Sequence, residues 1–233
     1  MTLLTIGGNV AKQTGFAAPT VIYGSIDQTA VQLLAIINDV GKEITKRHDW
    51  QVLVKETSFS TLAAETQTSL PSGFDHIIND VMYNRSTQRK IFGPATIQAW
   101  QRSNSTIVTA IDSMFRIRGN SILFEPNPTA SQTVYYEYVS KFWVDTNADG
   151  IAEAITFTAD SQTAVIDEWL IELGALARFK EAKGLEYAEA YRRYEYNMNL
   201  MWARDGARRT LNITGPIQAT LYPGNIPDTG FGS

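Results

Sequence analysis

Residues 133–204 read TVYYEYVSKFWV (133–144), DTNADGIAEAITFTADSQT (145–163), AVIDEWLIELGALARFKEAKG (164–184) and LEYAEAYRRYEYNMNLMWAR (185–204). The first string alternates as a strand does, and the second is a mostly polar loop. The last two carry helical periods. Val165, Ile166, Trp169, Leu170, Leu173, Leu176 and Ala177 recur at the three-and-four spacing of one helix face. Ala188, Tyr191, Tyr194, Met198 and Met201 make a second stripe, with Arg192, Arg193 and Glu195 off it. Gly184 falls where a left-handed residue ends a helix, so the two helices meet at a tight corner. On this reading Trp169 and Leu173 belong to the core and Glu172 to solvent. No catalytic or metal-binding signature interrupts the pair.

Working outward, Ser25 or Asp27 opens an earlier helix that runs to His48. Ile26, Ala30, Leu33, Leu34, Ile37, Val40 and Ile44 line its inner face, and Lys42, Lys46 and Arg47 lie near the end where the dipole favours cations. From Trp50 the pattern shortens to β-like runs: WQVLVKETSFST, SLPSGFDHIINDVMYN and RKIFG. PATIQAWQRS predicts a short helix begun by Pro94. MFRIRGNSILFEP is the clearest hairpin, its arms alternating around Gly119-Asn120.

The expected class is therefore α+β. A helical bundle, one leading helix plus a closing pair, carries an inserted antiparallel β-sandwich or small barrel. Residues 1–24, with Gly7, Gly8, Gly15, Pro19 and Gly24, read as an extended amino-terminal arm. Residues 25–203 form the main domain, with helices over 25–48, 165–183 and 185–203 and the β-rich insertion over 50–143. Residues 204–233 lack any helical period and read as an extended carboxy-terminal arm. Leu211, Ile213, Ile217, Leu221, Tyr222, Ile226 and Phe231 are spread along it, more apolar residues than a solvated tail needs. With Arg204, Arg208 and Arg209 they form the candidate partner interface.

Composition excludes several function classes. Of 233 residues, 44% are hydrophobic and 19% charged, which rules out wholesale disorder. A net charge of −4 disfavours a general phosphate-gripping nucleic-acid binder. No apolar run approaches the roughly 20 residues of a membrane span, and the start MTLLTIGGNVAKQ lacks the pattern of a secretory signal. With no cysteine there are no disulfides, thiolate metal sites or cysteine nucleophiles, which fits a reducing cytoplasm. His48 and His76 are the only histidines, and neither sits near a nucleophile motif. No catalytic residue, cofactor site or metal site is expected.

Three constellations carry rival readings. Asp145-Thr146-Asn147-Ala148-Asp149-Gly150 opens like a calcium loop, but its twelfth position is Thr156, with Glu153 the nearest acid. It motivates a calcium-stabilised adhesive module, against the simpler reading of a surface turn. Asp160, Asp167, Glu168 and Glu172, with the aromatics Tyr135, Tyr136, Tyr138, Phe142 and Trp143, motivate a carbohydrate-binding or hydrolytic β-domain of a tail accessory. The simpler reading makes Asp167 and Glu168 helix-start acids and divides the aromatics between core and interface.

The succession WQVLVKETSFSTL, SLPSGFDHII, GPATIQAWQ, FRIRGNSILFEPNP, YYEYVSKFWV, FTADSQT and LIELGALARFKEAKGLEYAEAYRRYE resembles head–tail adaptor (connector) proteins of tailed bacteriophages. The resemblance covers residues 28–200, in order. It implies a non-enzymatic virion protein that forms a ring, commonly dodecameric, beneath the portal. Its implied partners are the portal protein, neighbouring adaptor subunits and a tail or nozzle protein, with DNA passing through the lumen unbound and no membrane involved. It implies a place in the virion neck after assembly in the host cytoplasm.

Overall fold

The computed structural model describes residues 1–105 and 113–206. Thr2 caps the first helix, α1 (Leu3–Gln13), its hydroxyl accepting from the Thr5 N–H. Residues 1–24 are therefore not wholly extended. Gly7 and Gly8 suggested an arm, but at Gly7 the reason for glycine is close packing. A Cβ there would lie 2.3 Å from Ile22 Cδ1, and Leu3, Ile6, Val10 and Ala11 are fully buried along the same helix.

Asp27 caps α2 (Gln28–Arg47) by accepting from Ala30 N–H at 3.2 Å. Ile26 thus precedes the helix and stands fully in solvent, not on its inner face. A 3-10 turn at Gln51–Leu53 leads into β1 (Val54–Ser60), β2 (Thr66–Ser69) and β3 (Phe74–Ile77). A second such turn precedes β4 (Val81–Asn84) and β5 (Arg89–Phe92). The short helix α3 (Ile97–Ser105) starts three residues after Pro94, with the Thr96 hydroxyl accepting from Ala99 N–H at 3.2 Å. Then follow β6 (Ser113–Arg118), β7 (Ser121–Glu125), β8 (Thr133–Ser140), β9 (Val144–Asp145) and β10 (Thr163–Ala164). The helices α4 (Glu168–Ala182) and α5 (Ala188–Asp205) close the described chain, and Gly184 between them has φ +68°.

Eight strands make one sheet in the order β1-β8-β4-β5-β6-β7-β2, with β3 also on β8. All pairs are antiparallel except β5 and β6, which the α3 crossover joins in parallel. The sheet curls into a nearly closed barrel. Phe59 on β1 and Phe124 on β7 have four strands between them in that order, yet their ring centroids are 5.7 Å apart. Inside it lie Met82, Ile91, Phe115, Ile122, Val134 and Tyr136.

A second, larger core belongs to the helices. α4 is its centre, packed by α1, α2 and α5 together. That explains two departures from the single-face reading. Glu172 is buried, accepting from Asn9 Nδ2 at 2.9 Å and Gln13 Nε2 at 2.7 Å on α1. Trp169, assigned to the core, is 39% exposed because α4's neighbours cover the other sides. Leu173 is buried as expected.

Trp143, just after β8, is buried in this helical core. Its ring occupies the space a side chain at residue 41 would need, with ring carbons 2.2 Å from the position of a Gly41 Cβ. A Cβ at Gly8 meets nothing within 4 Å. Gly41→Ala should therefore destabilise by roughly 1–3 kcal/mol through overpacking. Gly8→Ala should stabilise by about 0.5–1 kcal/mol through helix propensity. Urea midpoints of the two variants check this, and shifts in the same direction would show that Trp143 does not rest on α2.

Candidate interaction surface

The carboxy-terminal end of α5 is fixed by a small polar knot. Asp205 Oδ2 accepts from Gln51 N–H at 2.9 Å and lies 3.1 Å from His48 Nε2. The His48 ring meets Trp50 edge-on at 5.1 Å and Trp202 at 5.7 Å. The end of α2, the start of β1 and the end of α5 thus converge on one carboxylate. Of the candidate interface residues, Arg204 is exposed on this helix end. Arg208, Arg209, Leu211, Ile213, Ile217, Leu221, Tyr222, Ile226 and Phe231 lie outside the described residues.

Sequence reasoning missed most of the aromatic surface. Tyr194 and Met198 of the predicted α5 stripe are buried, but Tyr191 is exposed. With it stand Tyr187, Tyr196 (68% exposed) and Trp202 (52% exposed), and on α4 Trp169, with Arg193 Cζ 5.8 Å from its ring centroid. Large aromatics held in water are what protein interfaces are enriched in. A second apolar group, Phe16, Val21, Tyr23 and Ile26, lies on the loop between α1 and α2. That loop is pinned. Asp160 accepts from Ile22 N–H at 3.1 Å and Tyr23 N–H at 2.7 Å, and Phe16 packs edge-on against Phe179 at 5.5 Å.

An ion network keeps the helices in register behind these surfaces. Arg178 of α4 bridges Asp39 and Glu43 of α2, and Arg47 bridges Glu43 and, at 2.7 Å, Glu195 of α5. Partial burial works against the Arg47 charge. Its hydrogen bond to Glu195, with Tyr194 and Glu43 nearby, nonetheless holds the guanidinium above its ordinary value.

The residues behind the rival readings are engaged structurally. Asp145 is buried and accepts from the backbone N–H groups of Asn147 (3.0 Å), Ala148 (2.7 Å) and Gly150 (2.8 Å). Loss of hydration pushes its carboxyl up, but these donors more than offset that and hold it below the ordinary carboxylate value. Glu153 meanwhile accepts from Asn147 Nδ2 at 2.7 Å and from the Thr146 hydroxyl. Among the described residues no group of three or more His, Asp or Glu side chains is placed to hold a metal. Asp160 holds the α1–α2 loop, Asp167 caps α4 at Leu170 N–H, Glu168 pairs with the Met1 amino group, and Glu172 clamps α1. The aromatics divide as strand alternation requires, with Tyr136, Tyr138 and Trp143 buried and Tyr135 and Phe142 part-exposed. On the outer sheet face Glu56 and Glu137 stand opposite each other across β1 and β8. Arg85 pairs with Glu56 at 2.6 Å while lying 3.4 Å over the Tyr135 ring. Among the described residues no helix is long and apolar enough to cross a membrane.

Residues 1–219 match a family model described as SU10 adaptor protein. No curated protein matches the chain.

His76 ties the barrel to the end of α2, its Nε2 3.2 Å from Asp49 and its Nδ1 2.8 Å from Asp75. Partial burial pushes its value down, but the two carboxylates prevail and raise it above 6.5. A raised histidine contributes stability that is complete below its unfolded value and is lost as pH rises through the folded one. Wild type should therefore lose about 0.2–1 kcal/mol relative to His76→Gln as pH rises from below 6.5 through that raised value. Urea unfolding of both proteins across this range measures it, and parallel pH profiles would refute the bridge.

Proposed function

Since the chain belongs to the SU10 adaptor protein family, we propose that it forms a dodecameric ring between the portal and the tail. The ring extends the DNA channel and offers the platform on which a tail or nozzle protein assembles. The role is structural and non-enzymatic, in the neck of the virion after assembly in the host cytoplasm. The observation that carries this reading is the family match over residues 1–219, which takes in both helical ends and the whole sheet.

Three features support the finer parts. The aromatic surface of α5 and the apolar α1–α2 loop are different patches, as a head-to-tail contact between identical subunits requires, and such contacts form a ring when the rotation between neighbours closes. A net charge of −4 suits a channel wall that DNA slides past without sticking. Residues 204–233 act as an arm toward the portal or the neighbouring subunit, with Arg204, Arg208 and Arg209 at its root and apolar anchors from Leu211 to Phe231. An arm that orders on contact loses chain entropy, which a preformed portal surface offsets better than one free neighbour does.

The isolated protein is accordingly expected to be monomeric and to form rings only with portal. Light scattering on the protein alone and mixed with portal at micromolar concentration tests this, with negative-stain imaging of the new species. A mixture that shows no new species would overturn the proposal.

A further inference from the structure

Like charges placed directly opposite each other across paired strands repel, and such a pairing destabilises a sheet. The barrel keeps one such pair on its outer face, Glu56 of β1 against Glu137 of β8. Both are exposed. Arg85 neutralises Glu56 at 2.6 Å and lies over the Tyr135 ring. Among the described residues no cation pairs with Glu137. The two carboxylates border an open cleft of about 340 Å³, lined also by Asn79, Tyr83, Arg85 and Tyr135. Beside it an apolar row crosses three strands on the same face. Val81, Phe92 and Met114 stand in register on β4, β5 and β6, and Phe92 is 51% exposed. A local rule broken in this way marks a surface kept for something other than stability.

Elsewhere on the same chain α5 carries the converse. Arg193 and Tyr196, three residues apart and so on one helix face, stand in solvent with Arg192 and Glu189 beside them. Arg192 is taken by Glu189 at 2.9 Å. Arg193 has no carboxylate partner among the described residues and lies 5.8 Å from the Trp169 ring centroid. A protruding helix face thus offers an unneutralised cation flanked by aromatics. The recessed sheet face offers an unneutralised carboxylate flanked by tyrosines, so the two are complementary in charge and in shape. Arg193 and Glu137 form no ion pair within the molecule, which leaves the match open to a second copy.

We infer that the outer sheet face seats a second copy of this chain, whose α5 enters the cleft with Arg193 against Glu137 and Tyr196 on the apolar row. Because each copy carries both halves, the contact is head-to-tail and repeats from copy to copy. The inference rests on the ring proposal and names the surfaces that neighbours in the ring share. The Glu56–Glu137 repulsion weakens the free chain and is relieved when Arg193 enters. The same carboxylate therefore acts with opposite sign in the two states.

Two measurements decide it. On the isolated protein, Glu137→Gln should raise the urea midpoint, since it removes the repulsion. A midpoint unchanged or lowered would overturn the inference, because Glu137 would then be satisfied within its own chain. On mixtures with portal, light scattering should show Glu137→Arg and Arg193→Glu each weakening assembly by roughly tenfold or more. The protein carrying both substitutions should recover most of that loss. Single variants that assemble like wild type would refute the contact. So would a double variant no better than the singles, which would give the two residues to other partners. Wild type that forms rings while the exchange of charges fails leaves the ring proposal standing and removes only this contact. Wild type that forms none removes both.

Discussion

The indole of Trp143 lying on the bare backbone of Gly41 is the contact on which the two-layer arrangement rests. Trp143 follows the last long barrel strand, while Gly41 sits in the second half of α2, so this one close approach sets how near the sheet comes to the helices. The seat is held from several directions. Phe157 meets the indole edge-on at 5.1 Å, the Trp143 N–H donates to Ala154 O at 3.0 Å, and its carbonyl accepts from Val165 N–H at 3.0 Å. The indole Nε1 is buried without a hydrogen-bond partner. Leaving such a donor unsatisfied costs about 1–3 kcal/mol, so burial of the large ring must outweigh that loss.

Around this contact the molecule is rigid where it meets solvent with apolar groups. The loop bearing Phe16, Val21, Tyr23 and Ile26 hangs from the Asp160 carboxylate, and α5 is locked to α2 and α4 through Arg47, Glu195, Glu43 and Arg178. Side chains presented from pinned backbone lose little further freedom when a partner covers them.

What the sequence revealed follows how local each signal is. The Gly119-Asn120 hairpin, α2 and the α4–α5 corner at Gly184 were legible because turn chemistry and periodicity are properties of neighbouring residues. α1 was not, because its glycines mark close packing against Ile22 and glycine alone does not distinguish a flexible arm from a tight helix contact. Trp169 and Glu172 exchanged places for a related reason. A helix packed on three sides has no single apolar stripe, and two amide side chains on α1 satisfy a carboxylate that periodicity assigns to water. Of the candidate interface residues only Arg204 lies among the described ones. The exposed aromatics on α5 arise from how elements are stacked, which no local pattern encodes.

The knot at Asp205 also has a mechanical meaning. A helix end tugged by the chain beyond it ordinarily unravels turn by turn, each hydrogen bond breaking in sequence under the full force. Here the last helical residue is bonded to Gln51 and His48, at the junction where α2 gives way to the barrel. Tension on residues past 206 therefore enters at the seam of both layers and is shared between them. α5 is relieved of the load at its weakest point, and the molecule resists traction as one body.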